Sequence, residues 1–433
     1  MKNSRYGLLC FALGLLTGLV MVFAIFDAQS FVRDKVDPYF FGAMGESLAR
    51  GDGFSKYGTL LSRRAPLYPL MIGGLYSLVG ANIRVVQLVQ CLLLAATCWL
   101  VYDIGRRLFT PRTGLVAGII CAFHPMMLRY VPDLHLETLL IGLFTLAVWA
   151  TVRLHETPTP MNGVIAGVAA GLASLTKAVV FPYPMAFAAV WFLTRLRNGK
   201  SLPWVPVTCM FVALGLTIVP WTIRNYRATN GKFVLISSGF SDAFLRGYVF
   251  SELDYALLRR PPYTDAENAC NAWFRAIARN AGTEWQRDDY ETEQVLKEAA
   301  KAKLRAEPME FVRKFTVGLF TFWYQMTSRI NSIITGGLGL IVLVLAAIGY
   351  RSGAAAGSPV WLCILPALML NLLLAALLAL GRYSAPILPP LFILAAQGAL
   401  VLGERAFGGH RHSTPVLNRR DLQPRTLPST ITK

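Results

Sequence analysis

Asp37 opens a stretch of helical periodicity, Asp37-Pro38-Tyr39-Phe40-Phe41, in which the proline suits the first helical position. A carboxylate there is kept charged by the positive end of the helix dipole. It can cap the helix or, when a hydroxyl comes within reach, take up its proton. On residue type alone the cap is the commoner role. A second acidic group is Asp133 with Glu137, which would share one helical face while His135 points elsewhere. With His124 nearby, these residues have the donor types of a metal site. No two histidines share a face as in the zinc-binding helix motifs, and a capping cluster led by Asp133 accounts for the same residues. No metal site is assigned, Asp133 and His135 being the only candidates for one.

The cations are as unevenly placed. Lys177 interrupts an apolar run between Leu175 and Ala178, and Arg382 stands in a tight turn between two apolar stretches. Ionisable groups at such depths are costly and mark substrate paths, unless they only snorkel to headgroups. Residue type does not separate the two roles. There is no Gly-Lys-Ser/Thr phosphate loop, no dinucleotide fingerprint after a strand and no Gly-x-Ser-x-Gly elbow, which argues against nucleotide-driven chemistry.

What must position these residues is a membrane fold. The 433 residues are 55% hydrophobic and 15% charged, outside the range of ordinary soluble domains. Apolar runs, each able to cross ~30 Å of hydrocarbon, recur along the chain. They predict an all-α polytopic membrane protein with about ten transmembrane helices, near 7–26, 84–105, 113–130, 134–153, 161–177, 179–194, 203–221, 331–350, 359–380 and 385–403. Residues 1–26 resemble a signal peptide, but the apolar part is long and lacks a small-residue cleavage site, so it is read as a retained span. The net charge of +18 is scattered over span ends and does not form the basic face of a nucleic-acid binder. Arg106, Arg107, Arg112, Arg153, Arg195, Arg197, Lys200, Arg351 and Arg405 mark one side, together with Lys2, Arg5 and the basic tail. Only Arg129, Lys177 and Arg382 fall in the short turns of the other. Both termini are therefore expected in the cytoplasm. Six of the seven cysteines lie in apolar spans and Cys270 alone in a polar segment, so no disulfide framework is expected.

Two outward segments exceed simple turns. In the first, 27–83, Phe40, Phe41, Met44 and Leu48 share a helical face that predicts an interfacial helix, with Gly51 at its exit. The second, 222–330, begins with a β-prone stretch, Phe233–Ser237, and continues into polar helix around Ala266–Arg305. Phe311–Tyr324 is interfacial or part of a further crossing. The expected organisation is an N-terminal catalytic module (1–221), the outer helical segment (222–330), C-terminal spans (331–405) and a disordered basic tail (406–433). This topology brings Asp37, Arg63, Arg64, Asp133, His135, Glu137, Lys177, Arg224 and Arg382 to one face.

Read in order, these residues resemble the C-type membrane glycosyltransferases, in particular the group of protein mannosyltransferases and lipid A aminoarabinose transferases. The matching segments are Asp37–Phe54, Arg64-Ala-Pro-Leu-Tyr-Pro69, His135-Leu-Glu-Thr-Leu139, Gly171-Leu-Ala-Ser-Leu-Thr-Lys177, Pro220-Trp-Thr-Ile-Arg-Asn-Tyr226 and Gly381-Arg-Tyr-Ser-Ala-Pro386. The resemblance makes Asp37 the general base and Glu137 a second acidic active-site residue. It gives Arg64, Tyr68, Lys177, Arg224, Asn225, Arg382 and Tyr383 to the lipid phosphate and sugar. It implies a polyprenyl-phosphate sugar donor, a lipid, glycan or protein acceptor, an inverting single displacement without a required cofactor, and an active site on the periplasmic side of a bacterial inner membrane. Arg64-Ala65-Pro66 departs from the Lys-Pro-Pro of aminoarabinose transferases, which argues against that particular reaction. A transporter or flippase is the competing reading, with Lys177 and Arg382 along its path. No inverted repeat supports it, and the polar residues gather at one face. A noncatalytic scaffold binding a partner through the outer segments is a third.

Overall fold

The computed structural model describes residues 2–25, 36–56, 59–60, 63–260, 263–285 and 290–407. Helix α1 (Lys2–Val20) continues through a wider turn to Ile25. The first outer loop holds α2 (Val36–Ala49), a small antiparallel hairpin of β1 (Ser55–Lys56) and β2 (Thr59–Leu60), and α3 (Leu67–Val79). There follow α4 (Ile83–Leu108), α5 (Pro111–Phe123), α6 (Glu137–Glu156), α7 (Pro160–Thr176), α8 (Tyr183–Arg197) and α9 (Trp204–Ala228). The second outer segment folds into α10 (Phe240–Phe250), α11 (Thr264–Asn280), α12 (Tyr290–Ala306) and α13 (Pro308–Thr321). Helices α14 (Arg329–Ala355), α15 (Trp361–Ala376) and α16 (Leu388–Phe407) complete the chain.

Every span expected from the sequence falls on an apolar helix of this integral membrane protein. Among the described residues, seven helices are long and apolar enough to cross a membrane. Helices α5, α7 and α15 are apolar but shorter, as is α3. The span expected at 113–130 stops at Phe123 because His124 precedes Pro125 and is pushed into an extended conformation (φ −70°, ψ 127°). The next helix begins at Glu137 and not at 134, so Asp133 lies outside it and does not cap it.

The helices are held by close backbone approach. In hydrocarbon there is no hydrophobic force between helices, so small residues that admit dense contact decide which pairs form. Gly163, Gly167 and Gly171 recur at every fourth position of α7, facing α9. A Cβ on Gly163 or Gly167 would lie 2.1 Å from the carbonyl oxygen of Pro206 or Met210, and one on Gly171 2.7 Å from Thr217. Gly349 of α14 and Gly398 of α16 meet the same way, each against a carbonyl of the other helix. At the other ends of these helices, buried Asp103 of α4 accepts from Arg106 Nε (2.6 Å), Arg107 Nε (2.5 Å) and Trp149 Nε1 of α6 (2.8 Å).

In the outer loop, Phe40, Phe41 and Met44 are buried, but what their face meets is protein. Phe41 stands edge-on to Tyr68 of α3 (5.1 Å), and Gly45 and Gly73 bring α2 and α3 into contact. Gly51, with φ +83°, ends the helix turn as expected. The β-prone stretch Phe233–Ser237 forms no strand. It runs along α9, whose side chains take its carbonyls: Trp221 Nε1 and Asn225 Nδ2 donate to Ile236 O (2.9 and 3.0 Å), and Thr222 Oγ1 to Leu235 O (2.7 Å). Helix α13 has 14 residues, too few to cross by itself. Its inner face carries Lys314, 1% exposed, whose Nζ donates to Phe244 O of α10 (2.7 Å) and Ala376 O of α15 (2.9 Å). Burial pushes this amine down to about 7.

Replacing Gly167 with leucine should separate α7 from α9, because the new side chain must displace backbone. Overpacking of this kind costs ~1–3 kcal/mol or more. The expected result is a lower thermal midpoint of the detergent-purified protein, whereas Gly74→Leu, where a Cβ meets nothing within 4 Å, leaves it unchanged.

Candidate active site at the outer ends of the helices

The end of α7 and the turn before α16 bring two cations to one tyrosine. Lys177 terminates α7 in an extended conformation (φ −153°, ψ 114°). Its Nζ stands 3.5 Å from the centre of the Tyr383 ring. Arg382 reaches the same ring from its own backbone, with the guanidinium 4.9 Å from the centroid and Nη2 donating to the Tyr383 hydroxyl at 3.0 Å. The turn carrying both is pinned by Gly381 N donating to Gln325 O (2.7 Å). Two cations at one aromatic ring repel each other. The ring quadrupole offsets part of that repulsion, and a bound anion would offset more.

Glu137 opens α6 beside this pair. It is 4% exposed, and its Oε2 has no hydrogen-bond partner among the described residues. Its charge bears on Tyr68, Tyr130 and Tyr383, and that of Arg382 on Tyr130. Burial, then Glu137, raises the Tyr130 phenol above its usual range. Asp133 and His135 lie in the adjoining turn, Oδ2 and Nδ1 3.1 Å apart. His124 caps a different turn by accepting from Met126 N (3.2 Å). Among the described residues no group of three or more His, Cys, Asp or Glu is gathered as a metal site would need.

A second set of cations lies on the first outer loop and α9. The Arg64 guanidinium stacks on Phe40 (4.7 Å) and Phe41 (5.8 Å) of α2. Arg224, on the last turns of α9, stacks on Trp221 (4.7 Å) and Phe54 (5.2 Å) and donates to Phe54 O (3.1 Å). Asp37 belongs to the first turn of α2, but its side chain lies outside the described residues. Helix α2 packs on Tyr68, and a Cβ on Gly42 would sit 3.5 Å from Leu134 Cδ1. The Asp37-bearing helix is thus on the same side of the protein as Glu137, Lys177 and Arg382.

Two sequence candidates do other work. Tyr68 is fully buried and its hydroxyl donates to Gln90 Oε1 (3.0 Å). Gln90 Nε2 in turn donates to Val131 O (2.8 Å) and Asp133 O (2.9 Å), which fixes the turn before Glu137. Asn225 is fully buried too, its Nδ2 holding the segment before α10 and its Oδ1 accepting from Arg224 Nη1 (3.2 Å). Both position neighbours and neither lines an open surface.

The sequence reading placed Arg63 at this face without giving it a role, and it missed the group that Arg63 meets. Arg63 Nη2 donates to Asp242 Oδ2 of α10 (2.6 Å), which also accepts from Arg246 Nε (3.0 Å). Arg246 continues to Glu267 of α11 (2.5 Å) and Asn271 (3.2 Å). This buried cluster ties the loop preceding Arg64 to the outer segment. Its signal was two pairs at i,i+4 spacing, Asp242/Arg246 and Glu267/Asn271.

Comparison with known proteins accords with this architecture. Residues 63–221 match the family "Dolichyl-phosphate-mannose-protein mannosyltransferase". The apo crystal structure of the Archaeoglobus fulgidus oligosaccharyltransferase superposes with a TM-score of 0.57 at 13% identity, covering 93% of this chain and 51% of that one. The same enzyme tethered to an acceptor peptide gives a TM-score of 0.56 at 12% identity, covering 92% and 50%. ArnT from Cupriavidus metallidurans bound to undecaprenyl phosphate gives 0.42 at 17% identity, covering 92% and 78%. No curated protein sequence matches. The fold is that of the C-type glycosyltransferases, as the sequence resemblance implied, and the chain spans about half the length of the oligosaccharyltransferase.

Asp242→Ala leaves Arg63 and Arg246 without their shared carboxylate. Breaking a buried charge group in this way costs ~3–5 kcal/mol. The thermal midpoint of the purified protein is expected to fall clearly, and an unchanged midpoint would show that the cluster contributes nothing to the fold.

Proposed function

We propose that this chain, built on the C-type glycosyltransferase fold, transfers a sugar from a polyprenyl-phosphate donor to a lipid, glycan or protein acceptor on the outer face of the membrane. The observation that carries the reading is the meeting of Lys177 and Arg382 on Tyr383, beside the buried carboxylate of Glu137. A polyprenyl-phosphate sugar brings its own leaving group, a lipid-tethered phosphate. Paired cations fixed on an aromatic platform suit the charge that grows on it as the glycosidic bond breaks. The family matched over residues 63–221 is named for a donor of this chemical type.

In the proposed mechanism Asp37 removes the proton of the acceptor hydroxyl as that oxygen attacks the anomeric carbon. The phosphate departs from the opposite face, and the configuration inverts. Lys177 and Arg382 hold the phosphate, Arg64 and Arg224 line its approach from the first loop and α9, and Glu137 keeps the cation pair oriented. Because Arg and Lys supply the positive charge, the scheme requires no cofactor. The protein is placed, as a proposal, in a bacterial inner membrane with its site in the periplasm and both termini in the cytoplasm. A transporter would need its charged residues strung along a path through the bilayer. Here Glu137, Lys177, Arg224 and Arg382 gather at one end of the helices.

The test is sugar transfer by purified protein in lipid, with a panel of polyprenyl-phosphate sugars. Asp37→Asn should lower turnover by ~10²–10⁴-fold with donor binding retained, whereas Lys177→Glu should raise the donor KM. Full turnover in the Asp37 variant would remove the general base from the scheme.

A further inference from the structure

Between α12, α10 and the segment before α10 lies a groove of about 410 Å³ that the proposed transfer does not use. One face of α12 lines it from Tyr290 to Leu304, a length of ~21 Å at the helical rise. Its two ends differ. At one end are Ser237, Ser238 and Glu293. Glu293 is 8% exposed, its Oε1 accepts from Ser241 N at 2.7 Å, and burial raises its carboxyl above the ordinary range. This end abuts the first outer loop: a Cβ on Gly239 would sit 3.1 Å from Arg63 Cγ, and the next residue is Arg64.

The other end is apolar, formed by Phe244, Ala300 and Leu304. Phe244 stacks on Phe311 of α13 (5.9 Å, 22°). Helix α13 packs its Gly318 face on α15 and turns Met309, Val312 and Phe320 outward, at 73%, 50% and 66% exposure. The groove therefore runs from the loop of Arg64 to the aromatic contact of α10 with α13, the helix that packs on α15. Lys297 and Lys301, one turn apart and both exposed, stand over its middle; Lys301 also pairs with exposed Glu298 (2.8 Å).

We propose that this groove binds an anionic lipid of the outer leaflet, with a hydrocarbon chain along Phe244, Ala300 and Leu304 and the phosphate of its headgroup against Lys297 and Lys301. Its remaining headgroup hydroxyls then face the loop of Arg63 and Arg64, which makes the lipid an acceptor. That last clause rests on the sugar-transfer reading. An extended peptide is the poorer fit, because the carbonyls of Val234, Leu235 and Ile236 are already taken by Asn225, Thr222 and Trp221 and offer no edge for strand pairing.

The experiment is native mass spectrometry of the full chain in detergent, titrated with phosphatidylglycerol or phosphatidylcholine. Wild type should retain one phosphatidylglycerol that Ala300→Trp, which fills the groove, does not. The double variant Lys297→Gln/Lys301→Gln, confined to exposed positions, should weaken phosphatidylglycerol binding about tenfold or more while phosphatidylcholine is unaffected. Equal retention by wild type and both variants, or no preference for the anionic lipid, overturns the proposal. Asp37→Asn separates the two readings: it should keep the lipid while losing turnover. Retained lipid in a wild-type protein that transfers no sugar would defeat the enzymatic reading and leave the groove standing.

Discussion

The contact of α7 with α9 through three glycines is the constraint on which the rest of the molecule depends. With lipid as indifferent to a leucine as another helix would be, only dispersion at very short range and the fit of backbone against backbone can select this pair. The consequence reaches the outer surface. Lys177 ends one helix and Arg224 lies near the end of the other, so the alignment set deep in the bilayer also fixes the spacing of two of the cations. The same device at Gly349 and Gly398 fixes α16, and with it the turn of Arg382 and Tyr383.

At the site itself, positive charge is set over aromatic rings. Lys177, Arg382, Arg64 and Arg224 all lie over rings. A ring lowers the cost of holding a cation out of water. The outer segment is organised in the opposite way. Around Asp242 and Arg246 the charges satisfy one another and are spent on holding two loops together.

The spans were legible because an apolar run of sufficient length has few other uses, and the ends of several were legible from their basic residues. Ends set by one backbone detail were less so. Pro125 shortens α5, and the consequence for Asp133, which leaves the following helix, was not visible in a reading that counted helical spacing through the turn. The family resemblance pointed to Tyr68 and Asn225 as site residues, but motifs do not state which way a side chain faces. Phe233–Ser237 has the composition of a strand but forms none. It has no neighbouring strand because side chains of α9 had already met its carbonyls. The Arg63–Asp242 pair joins residues far apart in the chain, beyond the reach of any local pattern.

Helix α7 has 17 residues and so covers about 26 Å, against the ~30 Å of an average hydrocarbon layer. Where that shortfall falls at the Lys177 end, the cation lies below the plane where headgroups ordinarily sit. A bilayer meeting this side of the protein then thins or dimples toward it, at a cost of a fraction of a kcal/mol per ångström of mismatch. A lipid phosphate carried down into such a dimple arrives at the depth of the cation pair without being pulled from its own leaflet. The thickness of the surrounding membrane becomes in effect part of the geometry of the site.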